Sequence, residues 1–316
     1  MSKAKLNKPI APIAILCADI HLSEFPPVAR SAEPDWLAAQ QRNLDEVRDL
    51  ARSYGNIPII CAGDVFDRWN SSAAIINWAL DHLPPMYAVH GQHDLPMHNQ
   101  SDIRRSAYWT LVRAGVVTQI EPSYRIPDGD MVLFGVPYGV DIKPIEKSGS
   151  AIHVGVIHSF VWQKGYSYIG APADRHVSRR ADSLRGYDVA VFGDNHQGFV
   201  VQCGDTTVCN CGCTIPRKST EQFQQPCVGV LYSNGEVKRH ALDTSQDKWI
   251  DESRSVVVGI EKDQEEMIRF VDGLRDVHSN AVDFKTAVIR YLDKHPTRPE
   301  VKKLVQRIME ENNERQ

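Results

Sequence analysis

Residues 13–21 read IAILCADIH, a short apolar run that ends in an aspartate and a histidine. Residues 57–64 read IPIICAGD, and an aspartate again lies just beyond the apolar run. Between the two runs, apolar residues recur at helical spacing from Leu37 to Ala51, and Gly55 provides a helix stop. A strand, a helix and a second strand in this order predict a layered α/β fold with its site on loops at strand ends.

The same alternation continues through the first 200 residues, and two hairpins follow. Ser72 is expected to cap a second helix, and residues 102–114 are expected to form a third, which Gly115 ends. The pairs Gly204-Asp205 and Asn234-Gly235 predict hairpin turns. Further strands are predicted over residues 86–89, 131–136, 152–157, 189–192, 199–203, 206–211, 228–232 and 237–242.

The composition changes after about residue 250, which predicts two domains. We expect a main domain over 1–250 and a small C-terminal α/β domain over 251–316. The small domain is predicted to be a βαβα appendage, with strands over 255–260 and 284–292 and helices over 264–277 and from Pro299 onward. The apolar stripe of the last helix favours packing against the main domain, with partner binding as the alternative.

The overall charge gives no general attraction to nucleic acid. The 316 residues carry a formal net charge of −4, so any contact with phosphate requires a local patch or bound metal. An apolar content of 42% and a charged content of 24% are ordinary for a globular protein. No signal peptide or membrane-spanning stretch is recognisable, and we expect a cytoplasmic protein without membrane contact.

The seven cysteines are expected to be reduced thiols, because the number is odd and no export signal is present. Cys203, Cys209, Cys211 and Cys213 lie close together in sequence without the spacing of a zinc knuckle. A thiol-rich hairpin is the favoured interpretation, and a structural zinc site is the alternative.

Five separate pieces of the chain place metal-binding side chains after an apolar run. Asp19 and His21 are two residues apart, so in extended backbone both face one side. The carboxylate of Asp64 has two oxygens and can bridge two ions. Carboxylate, imidazole and amide groups together suit a pair of divalent transition metals. The candidate ligands are Asp19, His21, Asp64, Gln92, His158, Asp194 and His196.

In this order the pieces resemble the DxH, GDxFD, GNHD, H and GHxH motifs of calcineurin-like metallophosphoesterases, over roughly residues 10–245. The resemblance implies an α/β/β/α sandwich and two divalent metal ions. His93 would be the uncoordinated catalytic imidazole, acting as a general acid, and Asp94 would orient it. One ion would be held by Asp19, His21, Asp64 and His196, and the other by Asp64, Gln92, His158 and Asp194.

Two residues depart from the family pattern. Gln92 stands where asparagine is usual, and Asp194 stands where the first histidine of GHxH is usual. Both keep an oxygen that can bind a metal, so the second ion is expected to be a hard one, manganese first and magnesium as the alternative. A weakly bound second ion is the other possibility left open.

Within this superfamily, the DIHLS and GDVFD pieces resemble SbcD-type DNA repair nucleases. The resemblance implies DNA as the substrate and an SbcC-like ATPase partner bound through the C-terminal region, and a homodimer is a further expectation. The main alternative is a phosphatase or cyclic-nucleotide phosphodiesterase, in which Arg68 would grip the substrate phosphate. His98, on the loop beyond the site, is a further candidate for substrate contact. A third interpretation is a metallophosphoesterase fold kept as a binding scaffold without activity.

Overall fold

The computed structural model describes residues 9–127, 130–168 and 170–250. The predicted βαβα appendage over 251–316 lies outside the described residues, so it stays a prediction. In the described part, the helices are α1 (Trp36–Ser53), α2 (Ala73–His82) and α3 (Ala107–Ala114). The strands are β1 (Pro12–Cys17), β2 (Ile59–Cys61), β3 (Met86–Ala88), β4 (Val117–Gln119), β5 (Ser123–Arg125), β6 (Met131–Val136), β7 (Ile152–His158), β8 (Val189–Gly193), β9 (Phe199–Cys203), β10 (Thr206–Asn210), β11 (Cys227–Tyr232) and β12 (Val237–Ala241).

The strands form two six-stranded mixed sheets. The first has the order β12-β11-β1-β2-β3-β4, with β1 to β4 parallel and the β11–β12 hairpin antiparallel at one edge. The second has the order β5-β6-β7-β8-β10-β9, with β6, β7, β8 and β10 parallel. Two mixed sheets with helices confirm the predicted α/β metallophosphoesterase sandwich.

Alternation along β1 shows how the layers are built. Ile15 and Cys17 point to the face that α1, α2 and α3 cover, whereas Ala14 and Leu16 point to the second sheet. A strand with both faces buried needs apolar residues throughout, which is why this run reads as continuous rather than alternating. The outer face of the second sheet packs against Val161 and other residues of a long loop that contains short 3-10 helices.

The predicted helix boundaries are correct in one case and wrong in another. Ser72 caps α2, where its side chain accepts a hydrogen bond from the Ile75 amide. The helix predicted over 102–114 is instead divided at Ser106. A 3-10 helix covers Gln100–Arg105, and α3 begins when the Ser106 hydroxyl accepts from the Trp109 amide. Serine favours this division because its hydroxyl competes with the backbone for hydrogen bonds.

The cysteines are all buried free thiols. Cys209 and Cys211 lie between the sheets with their sulfurs 3.9 Å apart, whereas Cys203 packs on the outer face of the second sheet. Cys213 lies near His196 instead. The four sulfurs therefore do not converge on one point, which agrees with the thiol-rich hairpin and argues against the zinc alternative.

No helix in the described ranges is long and apolar enough to cross a membrane.

Candidate metal centre

The candidate ligands lie on five loops or strand ends at the carboxyl ends of β1, β2, β3, β7 and β8. Parallel strands deliver these ends to one edge, so residues far apart in sequence meet there. The Asp19 amide donates to the Gly63 carbonyl and the His21 amide to the Asp64 carbonyl, each at 3.0 Å. These bonds fix the loop after β1 against the loop after β2.

Four of the candidate ligands have left-handed backbone. The φ angles are 50° at Asp19, 53° at His21, 53° at Asp64 and 83° at Asp194. Residues other than glycine rarely adopt this region, and its cost of about 1–3 kcal/mol each is tolerated where the surroundings enforce it. Such backbone strain concentrates at functional sites. Here it turns four side chains inward at the ends of their strands.

Two glycines are required because side chains approach their backbone closely. A Cβ atom on Gly63 would overlap the His158 ring, and one on Gly91 would overlap the Asp64 carboxylate. Gly63 also has a φ of +94°. Glycine at both positions therefore leaves the space that these two candidate ligands occupy.

The imidazole of His158 has a defined orientation. Its Nδ1 lies 2.6 Å from the Ala62 carbonyl oxygen, which accepts a hydrogen bond, so Nδ1 carries the proton. Its Nε2 then faces the centre, 2.6 Å from Gln92 Oε1 and 3.4 Å from Asp64 Oδ2. A histidine whose Nδ1 donates to a backbone carbonyl while Nε2 faces the centre has the usual orientation of a metal-binding imidazole.

His196 is oriented in the same way, by a carboxylate that belongs to none of the five motifs. Its Nδ1 lies 2.6 Å from Glu221 Oε1. Its Nε2 faces His21 Nε2 at 3.2 Å. Glu221 is buried and also accepts from the backbone amides of Arg217 and Lys218 at 2.7 and 2.9 Å. Glu221 thereby fixes the tautomer of His196 from a loop 25 residues further along the chain.

The carboxylates of the centre are deeply buried, and Asp19 and Asp64 are each at most 1% exposed. Burial raises the pKa of Asp19 to about 7, because its anionic form is withdrawn from water. Burial would also raise the pKa of Asp64, but the neighbouring imidazoles, His158 first, hold it below its usual range. Burial would lower the pKa of His158, but Asp64 raises it to about 10. Asp64 and His158 therefore stabilise the charged form of each other.

Among the described residues, possible ligand atoms come together in four overlapping groups of three, one of which joins His21, Asp64 and His93. Asp19, His21 and His196 have ligand atoms within 4.8 Å of one another, and so do Asp19, Asp64 and His158. Buried carboxylate oxygens and lone-pair nitrogens at this spacing fit a pair of divalent cations. Asp19 belongs both to the group with His21 and His196 and to the group with Asp64 and His158.

Gln92 and Asp194 lie at the same centre and contact each other. Gln92 Nε2 donates to Asp194 Oδ1 at 2.7 Å, and the Asp194 amide donates to both oxygens of Asp19 at 3.0 Å. All seven predicted ligands are thus neighbours in the fold. Which ion each of them would hold stays a prediction.

His93 lies beside the centre and is exposed to solvent. Its ring lies edge-on to His21, with 4.8 Å between the ring centroids. Its Nδ1 lies 2.8 Å from the Asp67 carbonyl oxygen, so Nδ1 donates and Nε2 is free to face a substrate. This arrangement suits a group that exchanges protons with a bound molecule.

The expected role of Asp94 is wrong. Its carboxylate does not contact His93, because it is fully buried and accepts from the backbone amides of Gly91, Val65 and Phe66 at 3.0 to 3.3 Å. Asp94 thereby joins the loop after β2 to the loop after β3. The group that orients His93 is the backbone carbonyl of Asp67.

The centre forms the floor of an open cleft of about 900 Å³. Three basic side chains line it, those of Arg175, Arg217 and Lys218. Arg217 is paired with the Asp67 carboxylate, and its side chain is 12% exposed. No sequence motif indicates that Arg217 lies in the wall of the cleft.

The contacts with substrate predicted for Arg68 and His98 stay predictions. Neither lines the cleft. The Arg68 side chain is 80% exposed and lies 3.9 Å from the Asp67 carboxylate. His98 packs edge-on against Tyr138, whose ring does line the cleft.

Comparison with known families gives the same class of protein as the site. The model of the calcineurin-like phosphoesterase family matches residues 14–198, more than half of the chain. The chain belongs to this family. Members of this family generally bind two divalent metal ions, and the candidate His/Asp groups of this chain agree with that property.

Three solved structures with a similar fold are named after different activities. The sulfate thiohydrolase SoxB of Thermus thermophilus is 11% identical, with a TM-score of 0.45, 75% of this chain covered and 57% of that one. An archaeal phosphodiesterase is 14% identical, with a TM-score of 0.37 and coverages of 72% and 99%. A putative 5'-nucleotidase from Staphylococcus aureus is 12% identical, with a TM-score of 0.41 and coverages of 76% and 56%. This chain therefore spans little more than half the length of two of these proteins. A comparison with curated protein sequences returned no match.

Proposed function

We propose that this protein is a metal-dependent nuclease of SbcD type that hydrolyses phosphodiester bonds in DNA. One observation carries the proposal. Buried carboxylates and three imidazoles, two of them oriented through Nδ1, converge on the floor of an open cleft whose walls carry three basic side chains. Such a cleft suits a substrate phosphate that contacts metal ions on the floor and basic side chains on the walls.

The proposed division of ligands follows the sequence motifs. Asp19, His21 and His196 would hold one ion, Gln92, His158 and Asp194 the other, and Asp64 would bridge them. Two divalent ions would supply a nucleophile from water at neutral pH and neutralise charge on the phosphate. The oxygen-rich second set, with Gln92 and Asp194, supports manganese over zinc.

His93 would protonate the leaving oxygen. In its protonated form, Nδ1–H donates to the Asp67 carbonyl and Nε2–H points toward the cleft. As the bond between phosphorus and the leaving oxygen breaks, the Nε2 proton passes to that oxygen and leaves a neutral imidazole. Arg217, held by the Asp67 carboxylate beside this histidine, would bind a non-bridging phosphate oxygen.

The basic lining of the cleft supports a substrate with more than one phosphate. A volume of about 900 Å³ exceeds what one phosphate requires, and Arg175 and Lys218 extend the basic lining beyond Arg217. The net charge of −4 makes such local basic residues necessary for DNA binding. The alternative of a phosphatase rests on Arg217 itself, because a single guanidinium beside a general acid also suits a terminal phosphate.

A substrate panel with manganese tests the proposal. The panel compares single-stranded and duplex DNA oligonucleotides, a cyclic nucleotide, a phosphopeptide and a bis-aryl phosphodiester at equal concentration. We expect the DNA to give the highest kcat/KM and chelation of the metal to abolish its cleavage. Faster hydrolysis of the phosphopeptide or cyclic nucleotide would favour the phosphatase or cyclic-nucleotide alternative. Hydrolysis of none of them would favour the scaffold interpretation.

The sequence resemblance also supports two proposals about association. An SbcC-like ATPase would bind through residues 251–316, and the chain would form a homodimer in the cytoplasm. Size-exclusion chromatography with light scattering measures the mass of the full chain, and a monomer at micromolar concentration would contradict the dimer. Truncation after residue 250 that leaves ATPase co-purification unchanged would contradict the binding segment.

A further inference from the structure

The loop between β7 and β8 presents two aromatic rings to the cleft. Phe160 and Tyr168 have ring centroids 5.4 Å apart and planes inclined by 51°. Both line the cleft, and Tyr168 is 55% exposed. Phe160 follows His158 by only two residues, so the pair lies next to the metal centre. Neither ring belongs to the apolar cores of the described residues.

The metal centre itself fixes this loop. Asn195 lies between the candidate ligands Asp194 and His196 and is 4% exposed. Its side-chain amide donates to the Val161 carbonyl at 2.8 Å and to the Tyr166 carbonyl at 3.1 Å. These two carbonyls are next to Phe160 and two residues before Tyr168 in the chain. The rings are therefore held at a set position relative to the centre.

A basic side chain contacts the residue that precedes Phe160. Arg175 lines the same cleft, its Nη1 donates to the Ser159 hydroxyl at 3.1 Å, and its Nε lies 3.6 Å from the Asp174 carboxylate. The indole of Trp162 donates to the Pro172 carbonyl at 2.8 Å, which closes the loop between the rings and the arginine. Aromatic faces beside a fixed guanidinium are the combination by which proteins bind single-stranded nucleic acid.

We propose that Phe160, Tyr168 and Arg175 form a nucleobase subsite next to the bond that is cleaved. One base stacks on the exposed ring of Tyr168, which packs against Phe160, and Arg175 contacts the neighbouring phosphate of the strand. Because a base inside a duplex is already stacked and paired, the subsite requires an unpaired nucleotide beside the scissile phosphate. Stacking accepts every base, so the subsite selects for an unpaired strand rather than for a sequence. The inference rests on the proposed nuclease function and specifies its substrate.

A set of single-stranded oligonucleotides tests the subsite in the manganese-loaded full chain. The strands differ only in the position of one abasic residue, and the cleavage site in each is mapped on a sequencing gel. We expect one abasic position beside the cleaved bond to lower kcat/KM by about 5- to 150-fold. In the Phe160→Ala/Tyr168→Ala double variant this ratio should fall close to one. Tyr54→Ala, an exposed tyrosine at the end of α1, is the matched control and should keep the wild-type ratio.

A binding measurement separates failure of the subsite from failure of the nuclease proposal. Calorimetry compares the affinities for thymidine 5'-monophosphate and deoxyribose 5-phosphate. The subsite predicts that the nucleotide binds more tightly and that Tyr168→Ala removes this difference in affinity. Equal cleavage of intact and abasic strands by the wild type would overturn the subsite and leave the nuclease proposal standing. A base-dependent affinity without DNA cleavage would support the subsite and overturn the nuclease proposal. Unchanged metal content and melting temperature show that each variant is folded.

Discussion

Replacing Glu221 by glutamine should weaken metal binding from outside the ligand set. Glu221 accepts from His196 with one oxygen and from the amides of Arg217 and Lys218 with the other. A glutamine has one oxygen, so it serves either the imidazole or the two backbone amides. In Glu221→Gln, the side-chain amide nitrogen of the glutamine therefore faces a donor, either the His196 imidazole or the two backbone amides.

The size of the effect follows from these contacts. Burial would raise the pKa of Glu221, but the hydrogen bonds, that of His196 first, lower it to about 2, so the group is a carboxylate at neutral pH. Losing a carboxylate partner of a metal-binding histidine costs about 10- to 100-fold in metal affinity. That corresponds to roughly 1.4 to 2.7 kcal/mol.

Calorimetric titration of manganese into the metal-free protein measures the change directly. Thermal unfolding without metal separates a loss of fold stability from a loss of affinity. Glu236→Gln is the matched control, since Glu236 is an exposed acid on the turn between β11 and β12 that pairs with Lys238. A manganese affinity of Glu221→Gln within twofold of the wild type would refute the assigned role.

Three further predictions concern the floor, the wall and a distant ion network. His93→Ala should keep its metal and lose about 10²- to 10⁴-fold in kcat, because it removes the general acid. Asp64→Ala should lose both metal and activity. Equal loss of metal from the two variants, measured by elemental analysis, would contradict these roles. Arg217→Ala should raise KM for DNA about tenfold or more, because a charged hydrogen bond is lost, whereas exposed Arg68→Ala should stay within twofold; similar KM values for the two would count against Arg217. Burial would raise the pKa of Glu33, but the Lys248 amide first and then the Arg30 guanidinium hold it below 4.5. Its contribution to stability is therefore present above pH 4.5 and is lost as the pH falls through the lower, folded value. Glu33→Gln should therefore reduce the fall in melting temperature below pH 4.5, and an unchanged slope would show that another group dominates.

The sequence predicted the parts of the site that depend on local pattern. Asp19, His21 and Asp64 could be identified because each follows a recognisable strand, and strand ends meet at one edge of a sheet. His158 and His196 could be identified because their spacing continues the family motifs. The division of the helix at Ser106 was missed because helical spacing spans it, whereas the decision rests on one hydroxyl.

The contacts around the ligands depended on residues that no spacing rule connects. Asp94 lies next to His93 in sequence, yet its carboxylate turns away to the amides of two loops. Arg68 adjoins Asp67 in sequence, yet Arg217, 150 residues away in the chain, pairs with the inner side of that carboxylate. Adjacent residues in a tight loop point in different directions, so sequence neighbours are poor guides to partners.

The sequence by itself determined the class of chemistry, because the identity of a side chain fixes which ligand atom it offers and strand periodicity fixes where it is delivered. Only the tertiary structure decided which nitrogen of His158 and of His196 faces the centre, since a carbonyl or a carboxylate from a distant part of the chain binds the other nitrogen. The same is true of the cleft walls. Basic and aromatic side chains from separate loops meet there only after the two sheets have packed together.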